Sequence, residues 1–371
     1  MKQAVLSKGN VVPKDVPMPM IGSKNVLVKV MYSCISAGTE MNSVRNSRKS
    51  LLKLAFEKPR QAKEGLKLLK NRGLSALLAA IKRATGASFG NALGYSAAGE
   101  VVAVGKDVSG FVMGQRVAIA GVGYANHAGY AQVPVNLVVP IPNGITYQEA
   151  APVAVGSIAM QGVRVLNPRL GETIVVMGLG LIGLFAVQML IAAGCTVIGI
   201  DINQERLTFA EKKYGIRTIN SKKDDCLTAS MILTGGLGVD GILFMAATTS
   251  SEPMSTGFKM LRQKGRFVLV GTSGMEINRE DIYKKELEFK ISCSYGPGRY
   301  DINYEEKGID YPYTDVRWTE KRNMACFLSL IETGKIDVKS MIGSVYPVTD
   351  SEIAYQALSR PNAPLIVLLS Y

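Results

Sequence analysis

Short runs of alternating apolar and polar residues open the chain, and this period of two predicts β-strands. The first runs are "AVLSKGNVV" and, after a turn rich in proline and glycine, "NVLVKVMYSCI". The pattern resumes in "GYSAAGEVVAVGKDVSGFVMGQRVAIA" (94–120) and "GYAQVPVNLVVPIP" (129–142), where glycines separate valine-rich runs. Short strands joined by tight turns predict a small β-barrel.

The period changes at about residue 145. The segment 146–166 has helical spacing, and from 172 to 272 apolar strands alternate with helices. This alternation predicts a parallel sheet covered on both faces, the doubly wound α/β class. The predicted strands are "TIVVM", "CTVIGID", "RTIN", "GILFMAA", "RFVLVGT" and "EFKISCSYG". A loop rich in aromatic residues (297–318) and a helix (319–334) follow.

Charge distinguishes one segment from the rest. Residues 41–90 contain twelve lysines and arginines against two acidic residues, and so hold most of the net charge of +13. Leucines at helical spacings predict two or three amphipathic helices there, separated at Pro59 and Gly73. Three interpretations stay open: a cap that attracts an anionic substrate, a docking surface for a partner, or a solvated helical face.

The size and composition favour a two-domain protein of the cytoplasm. The chain has 371 residues, of which 47% are hydrophobic, so it can bury substantial cores. Its five cysteines form no C-x-x-C pair, which argues against a disulfide framework and a structural zinc clip. The most apolar run, 173–200, contains glycines and Gln188, which favour a buried strand, turn and helix over a membrane span.

The segment "TIVVMGLGLIG" carries the clearest chemistry. Gly178, Gly180 and Gly183 have the spacing G-x-G-x-x-G, directly after a predicted strand and at the start of an apolar helix. The first glycine permits the tight turn, the second lets a pyrophosphate approach the backbone, and the third lets helix and strand pack closely. The free N–H groups of the helix then face the phosphates.

The next strand, "VIGID", ends in Asp201. A carboxylate at this point accepts hydrogen bonds from both ribose hydroxyls and repels a 2′-phosphate, which favours NAD over NADP. Arg206 lies close enough in sequence to weaken that preference. The remaining candidate cofactor residues are Leu179, Leu181, Ile182, Ala246, Val270, Gly271 and Thr272.

With these motifs the chain resembles the medium-chain dehydrogenase/reductase family, the alcohol-dehydrogenase-like superfamily. Residues 94–118 are similar to the signature of its GroES-like domain, and "PIPNGITYQEAAPVAV" is similar to the crossing into its nucleotide-binding domain. The resemblance implies a GroES-like β-barrel catalytic domain at 1–156 with the basic insertion at 41–90. It further implies a Rossmann NAD-binding domain at 157–292 and a return to the catalytic domain at 293–371.

Within that family the chain resembles a sugar-linked branch. This branch contains the dehydrogenase half of bi-domain oxidoreductases of bacterial polysaccharide pathways, and glycoside 3-dehydrogenases. The shared segments are "CISAGTE" (34–40), the basic insertion, and "SYGPGRYDINYEEKGIDYPYTDVRWTEKRN" (294–323). The resemblance implies a sugar or nucleotide-sugar substrate, and a separate oxidoreductase partner for any tandem reaction.

The zinc ligands of the family have no counterpart at the matching positions. Zinc alcohol dehydrogenases carry a C-G-T-D loop, and Ala37 stands where its cysteine is expected. Tyr95 matches the second ligand, a histidine, and Val155 falls on or near the third. None of these side chains holds zinc in the ordinary way, so we expect a protein that uses no metal.

Without zinc, a side chain must handle the proton of the reacting oxygen. Thr39 matches the hydroxyl of the family's proton relay, and Tyr95 stands where the zinc histidine was. The hypothesis is that Tyr95 and Thr39 hold the oxygen while Glu40 orients them, with the pKa of Tyr95 lowered by nearby positive charge. His127, the only histidine, completes the catalytic candidates. The alternative is that Tyr95 fills an emptied cavity and that Glu40 and His127 are structural.

Substrate contacts are expected in the loop 295–318. Tyrosines offer flat apolar faces suited to sugar rings, and Arg299 has the charge to bind a phosphate or carboxylate. The candidates are Ser36, Tyr295, Arg299, Tyr300 and Trp318. For any single tyrosine, packing within the loop is the simpler interpretation.

The sequence thus predicts an NAD(H)-dependent, metal-free oxidoreductase that interconverts a secondary alcohol and a ketone on a sugar, glycoside or nucleotide sugar. We also expect a homo-oligomer. One alternative is a zinc-independent quinone or enoyl reductase, which Asp201 and the tyrosine loop disfavour. Another is a cofactor-bound protein that binds nucleic acid through the basic segment. That segment lacks interleaved aromatic residues for base stacking, so no nucleic acid partner is expected.

Overall fold

The computed structural model describes residues 1–7, 9–47, 92–360 and 362–371. They form two compact units, one of residues 1–133 together with 342–371 and the other of residues 134–341. Residues 48–91, which make up most of the predicted basic insertion, lie outside the described residues.

Strands and helices alternate mainly in the middle of the chain. In chain order the strands are β1 (Lys2–Ser7), β2 (Asn10–Asp15), β3 (Asn25–Cys34), β4 (Ser96–Val104), β5 (Arg116–Ala120), β6 (Tyr130–Pro134), β7 (Val138–Pro140), β8 (Thr173–Met177), β9 (Thr196–Asp201), β10 (Arg217–Asn220), β11 (Val239–Phe244), β12 (Leu261–Leu269), β13 (Glu288–Ile291), β14 (Ile342–Pro347) and β15 (Ile366–Ser370). The helices are α1 (Thr39–Ser47), α2 (Tyr147–Ala150), α3 (Val153–Leu166), α4 (Leu181–Ala192), α5 (Gln204–Tyr214), α6 (Cys226–Leu233), α7 (Glu252–Met260), α8 (Arg279–Tyr283), α9 (Ile302–Glu305), α10 (Glu320–Glu332) and α11 (Ser351–Ala357).

The first unit is built on a mixed sheet in the order β14-β15-β3-β4-β5, with β6 paired to β3 and a separate β1–β2 hairpin. In β3 the alternating residues Val26, Val28 and Val30 are fully buried, as the period of two predicts. The end of β3 pairs antiparallel with β15, where Cys34 lies opposite Leu368. This pairing anchors the loop that leads into α1.

The second unit is a six-stranded parallel sheet in the order β10-β9-β8-β11-β12-β13. In the order of their appearance in this unit these strands run 3-2-1-4-5-6, the doubly wound Rossmann arrangement, which confirms the predicted α/β class. One face buries apolar residues of neighbouring strands, among them Val175, Ile242 and Phe267. No helix in the described part of the chain is long and apolar enough to span a bilayer.

The division into units differs from the predicted domain boundaries of 156 and 293. Residues 134–156 and 293–341 lie in the second unit, so the chain returns to the first unit only at β14. The physical reason is helix packing: α3 packs against α4, and α10 packs against α3. Phe327 of α10 lies so close to Gly156 that a Cβ there would approach its ring at 2.3 Å.

Candidate active site

The loop between β3 and α1 closes around the side chain of Glu40. The Ser36 amide donates a hydrogen bond to Glu40 Oε1 at 2.8 Å, and the Glu40 amide donates to the Ser36 carbonyl at 3.1 Å. The two bonds fix this turn at the first residues of α1. The position of the Ser36 side chain is therefore set by a fixed backbone.

Glu40 is the centre of a buried polar network. It is 3% exposed, and its Oε2 accepts hydrogen bonds from His127 Nε2 at 2.9 Å and from the Tyr355 phenol. His127 is 0% exposed, and its Nδ1 lies 2.7 Å from Ser33 Oγ, which lies 2.8 Å from the Tyr371 phenol. A buried carboxylate is stable only when donors surround it in this way. His127, a predicted catalytic residue, thus has both ring nitrogens engaged within the protein and positions Glu40.

Tyr95 is buried immediately before β4, and its phenol donates a hydrogen bond to Ser36 Oγ at 2.8 Å. Burial raises the pKa of Tyr95, the negative charge of Glu40 adds to the effect, and hydrogen bonds with Ser36 and Thr39 offset it only in part. The predicted lowering of this pKa by positive charge is therefore wrong. A phenol in this setting stays protonated at neutral pH and can donate a hydrogen bond.

The predicted grouping of Tyr95, Thr39 and Glu40 is changed in one respect. Thr39 is exposed at the start of α1 and its hydroxyl bonds to the Tyr95 phenol. Glu40 acts on Tyr95 through Ser36, because its own oxygens accept from Ser36, His127 and Tyr355. The Tyr95 and Ser36 hydroxyls form a hydrogen-bonded pair, and the Glu40 carboxylate binds the backbone amide of Ser36.

The side chains around this loop do not fit a catalytic zinc ion. Cys34 is buried, and its thiol donates to the Ile35 carbonyl at 3.8 Å. His127 has no free ring nitrogen, and Glu40 already accepts three hydrogen bonds. Among the described residues no three histidine, cysteine or acidic side chains are grouped so that they could hold a metal ion.

The glycine-rich turn lies between β8 and α4 of the second unit. Gly178 has a φ of +99°, and a Cβ there would approach the Ala246 amide nitrogen at 2.7 Å. A Cβ at Gly183 would lie 1.9 Å from the Gly178 carbonyl oxygen, so helix and turn touch. At Gly180 a Cβ would meet only Arg206 Nη1, at 3.8 Å, which leaves the open approach that a pyrophosphate needs. The other predicted residues of this turn are Leu179, Leu181 and Ile182.

Asp201 ends β9 with its carboxylate turned back to the glycine-rich turn. Its Oδ2 accepts from the Leu179 amide at 2.7 Å, and its Oδ1 accepts from the Asn203 amide at 2.8 Å. Each oxygen keeps a second lone pair for a ribose hydroxyl. Arg206 Nη1 lies 3.9 Å from Oδ2, so the cation noted in the sequence does stand beside this carboxylate.

The predicted residues at the ends of β11 and β12 lie side by side. The amides of Val270 and Gly271 donate to the Phe244 carbonyl at 3.0 and 2.9 Å, and the Thr272 amide donates to the Ala246 carbonyl at 3.0 Å. Together with the end of β8 they form the carboxyl edge of the parallel sheet, where doubly wound folds bind their ligands. The chemistry of these residues fits NAD.

The aromatic loop is largely occupied by its own contacts. Tyr295 is 2% exposed, which gives it a packing role. Arg299 donates to Glu305 Oε1 at 2.5 Å and stacks on Tyr300, with the guanidinium carbon 4.2 Å from the ring centroid. The predicted role of Arg299 in binding an anionic substrate lacks support, since its charge is already paired. Tyr300 alone of this group is widely exposed.

Trp318 also packs within the second unit. Its ring lies between two guanidinium groups, with Arg164 at 3.2 Å and Arg317 at 3.7 Å from the centroid. Arg164 belongs to the last turns of α3 and donates to Asn323 Oδ1 at 2.8 Å. These contacts give Trp318 a packing role, which accounts for the residue without a contact to substrate.

Several residues of these networks were not identified as functional from the sequence. Ser33, Tyr355 and Tyr371 belong to no motif, and they are far apart from Glu40 or His127 along the chain. Glu320 follows a helix-capping threonine, where an acidic residue is usually exposed, yet it is 0% exposed. Only the unusual length of the 294–323 segment pointed to this region.

Known proteins resemble this chain in part of its second unit and in its overall fold. A family model described as zinc-binding dehydrogenase matches residues 182–306. The matched residues lie in the second unit and include none of Ala37, Tyr95 and Val155. The match therefore bears on the second unit alone, and the absence of a metal stays a prediction.

Curated relatives are dehydrogenases and reductases of sugars and related compounds. The chain is 29% identical over 234 residues to D-xylulose reductase A of Aspergillus niger, covering 62% of this chain and 59% of that protein. It is 26% identical over 279 residues to D-guloside 3-dehydrogenase of Escherichia coli K12, covering 71% and 72%. Among solved structures, alcohol dehydrogenase TADH from Thermus sp. ATN1 matches 100% of this chain and 99% of that chain with a TM-score of 0.76 at 19% identity. That likeness confirms the predicted fold class, a mixed-sheet GroES-like domain with a Rossmann domain.

Proposed function

We propose that this chain, a relative of the alcohol-dehydrogenase-like medium-chain dehydrogenases, is an NAD(H)-dependent oxidoreductase that interconverts a secondary alcohol and a ketone on a sugar, glycoside or nucleotide sugar. The observation that carries the proposal is the glycine-rich turn of β8 and α4 with Asp201 held against it. A sugar is proposed as the substrate because the relatives include a D-xylulose reductase and a D-guloside 3-dehydrogenase, and because the loop 295–318 is rich in tyrosines.

The second unit would hold NAD through three parts of the carboxyl edge. The turn at Gly180 and the start of α4 face the pyrophosphate, and Asp201 accepts the ribose hydroxyls. Residues 270–272 and Ala246 support the nicotinamide end. When bound, the nicotinamide supplies or accepts the hydride, and the protein must supply everything else.

The first unit would manage the proton. In the direction of ketone reduction the carbonyl carbon gains the hydride and its oxygen gains the Tyr95 phenol proton; the Ser36 and Thr39 hydroxyls stabilise the remaining phenolate and return its proton from solvent. In the direction of oxidation the same steps run in reverse. The raised pKa keeps Tyr95 protonated, as a proton donor must be before the reaction, and the turn closed by Glu40 holds Ser36 in place. Replacing a Lewis acid by these hydroxyls makes the proposed reaction independent of metal.

One experiment tests both parts of the proposal. The purified chain is assayed for NADH formation with a panel of sugars, methyl glycosides and nucleotide sugars, before and after treatment with a strong chelator, and its metal content is measured. We expect turnover of at least one sugar, unchanged by the chelator. A stoichiometric transition metal whose removal abolishes turnover would overturn the metal-free mechanism, and absence of turnover with the whole panel would overturn the function.

The cofactor preference is tested at Asp201. Asp201→Asn removes the charge but keeps an acceptor oxygen for the Leu179 amide, and charge-assisted hydrogen bonds are worth about 1.5–3 kcal/mol. We therefore expect kcat/KM for NAD to fall about 10- to 100-fold, while NADP loses little or gains. Steady-state kinetics with both cofactors measures the change.

Arg206→Ala is the matched variant on the other side of this carboxylate. If NAD is the cofactor, Arg206→Ala should leave kcat/KM for NAD within a few-fold and lower any use of NADP. A wild-type preference for NADPH, with reduction of C=C bonds, would instead favour the quinone or enoyl reductase alternative.

A further inference from the structure

The loop that follows β13 starts at the carboxyl edge of the parallel sheet. The Ser292 amide donates to the Leu269 carbonyl at the end of β12 at 2.9 Å, so the chain leaves the sheet beside the residues 270–272 discussed above. Ligands of doubly wound sheets bind at this edge. The loop therefore begins at the edge of the sheet where a ligand is expected.

Most aromatic side chains of the loop are used to build it. Tyr295 and Tyr304 are buried. Tyr304 stacks on Tyr311 with ring centroids 5.4 Å apart and an angle of 16° between the planes, and the Tyr311 phenol donates to Asp301 Oδ2 at 2.5 Å. Trp318 is enclosed between two arginines. These rings have little surface left for a ligand.

Tyr300 differs from these rings in its exposure, its backbone conformation and its contact with Arg299. It is 72% exposed, and its φ of +69° lies in the left-handed region that a tyrosine rarely adopts. The Arg299 guanidinium lies 4.2 Å from its centroid and 5.5 Å from that of Tyr295, and is itself held by Glu305. Residues with strained backbone conformations cluster at functional sites. An exposed ring on such a backbone, packed against Arg299, is therefore a candidate for binding a ligand.

The cation beside this ring is already paired. Arg299 is paired with Glu305, so the support beneath Tyr300 is an ion pair and offers no unpaired cation to a phosphate or carboxylate. An aromatic face binds the apolar C–H face of a ring, and the phenol can bond to a hydroxyl. An acyclic polyol has no such flat face to present.

We propose that Tyr300 is a specificity-determining residue on which the ring of a cyclic, uncharged sugar stacks, in preference to an acyclic polyol or a sugar phosphate. The inference rests on the proposed function and narrows its substrate class. Arg299 and Glu305 are positioning residues that hold the platform in place.

The test uses binding, so that it does not depend on turnover. Methyl glycosides of several hexoses, their alditols and glucose 6-phosphate are titrated into the full chain with NADH bound, and contact is measured by saturation-transfer difference NMR. We expect glycosides to bind through ring C–H protons and to bind at least tenfold more tightly than the alditols and the phosphate. If no glycoside binds wild type, or if alditols or the phosphate bind as tightly, the inference is overturned.

Two variants distinguish the contribution of the aromatic ring of Tyr300 from that of its side-chain volume. Tyr300→Leu should weaken glycoside binding about tenfold or more, whereas Tyr300→Phe should stay within about threefold. Tyr313→Leu is the matched control, because Tyr313 is exposed on the same loop but contacts Arg317 and Arg322. Equal effects of Tyr300→Leu and Tyr313→Leu would overturn the inference. A wild type that binds glycosides but oxidises no alcohol would instead overturn the proposed function alone.

Discussion

Replacing Tyr95 by phenylalanine is expected to lower kcat for hydride transfer about 10²- to 10⁴-fold, the range in which a positioned acid or base contributes. The variant loses the phenol proton that the proposed reaction transfers, which in the free protein is donated to Ser36 Oγ, while the ring still fills its place. KM should change much less than kcat, because the proton is needed in the transition state and the ring contacts are kept. Single-turnover kinetics with NADH and the ketone found in the substrate panel measures the loss.

A control is needed because the phenol also takes part in packing. Tyr214→Phe is suitable: its phenol oxygen is buried and has no hydrogen-bond partner among the described residues. That variant should keep kcat within about twofold. If Tyr95→Phe loses less than about tenfold in kcat while its circular dichroism and melting temperature are unchanged, Tyr95 has no part in the chemistry and fills an emptied metal cavity.

The second unit was the most predictable part of this protein. Parallel strands buried on both faces are nearly continuous apolar runs, so "TIVVM" coincides with β8. The predicted helix at 146–166 is interrupted before Val153, since Pro152 cannot donate the hydrogen bond that a continuous helix requires. The Asp201 carboxylate was found because its role depends on a fixed place after the motif.

The polar networks could not be read from the sequence in the same way. Glu40 meets His127 and Tyr355 only because α1, the segment between β5 and β6, and α11 come together in the folded unit, and no local spacing encodes those contacts. For the same reason the pKa of Tyr95 was misjudged: burial decides its direction, and burial of one tyrosine is a tertiary property. In the loop 295–318, the composition suggested sugar contacts, but packing takes up all its tyrosines except the exposed Tyr300 and Tyr313.

Replacing Glu320 by glutamine is expected to change the pH dependence of stability by several kcal/mol. Glu320 is 0% exposed, and neither of its carboxyl oxygens has a hydrogen-bond partner among the described residues. Burial raises the pKa of this carboxyl from 4.5 to about 9, the charge of Glu305 adds to the rise, and Arg299 opposes it. The acid is thus neutral in the folded protein at pH 7, when the unfolded chain carries it ionised.

The sign of the effect follows from proton binding. Below the unfolded pKa both states hold the proton, and the acid imposes no pH dependence. Between the unfolded and the folded pKa only the folded state holds it, so the free energy of unfolding falls as pH rises, by at most about 1.4 kcal/mol per pH unit. This amounts to a loss of about 3 kcal/mol from pH 4 to pH 7.

Glutamine is neutral in both states, so Glu320→Gln should remove the pH-dependent loss of stability. Any change in stability caused by burying the amide is the same at every pH. Urea unfolding of both proteins from pH 5 to pH 8 measures the difference, which should shift in favour of the variant by up to about 4 kcal/mol across that range. Glu332→Gln, at the exposed end of the same helix, should leave the pH dependence unchanged. Parallel pH curves for wild type and Glu320→Gln would mean that the Glu320 carboxyl titrates alike in the folded and the unfolded protein, so that burial does not raise its pKa.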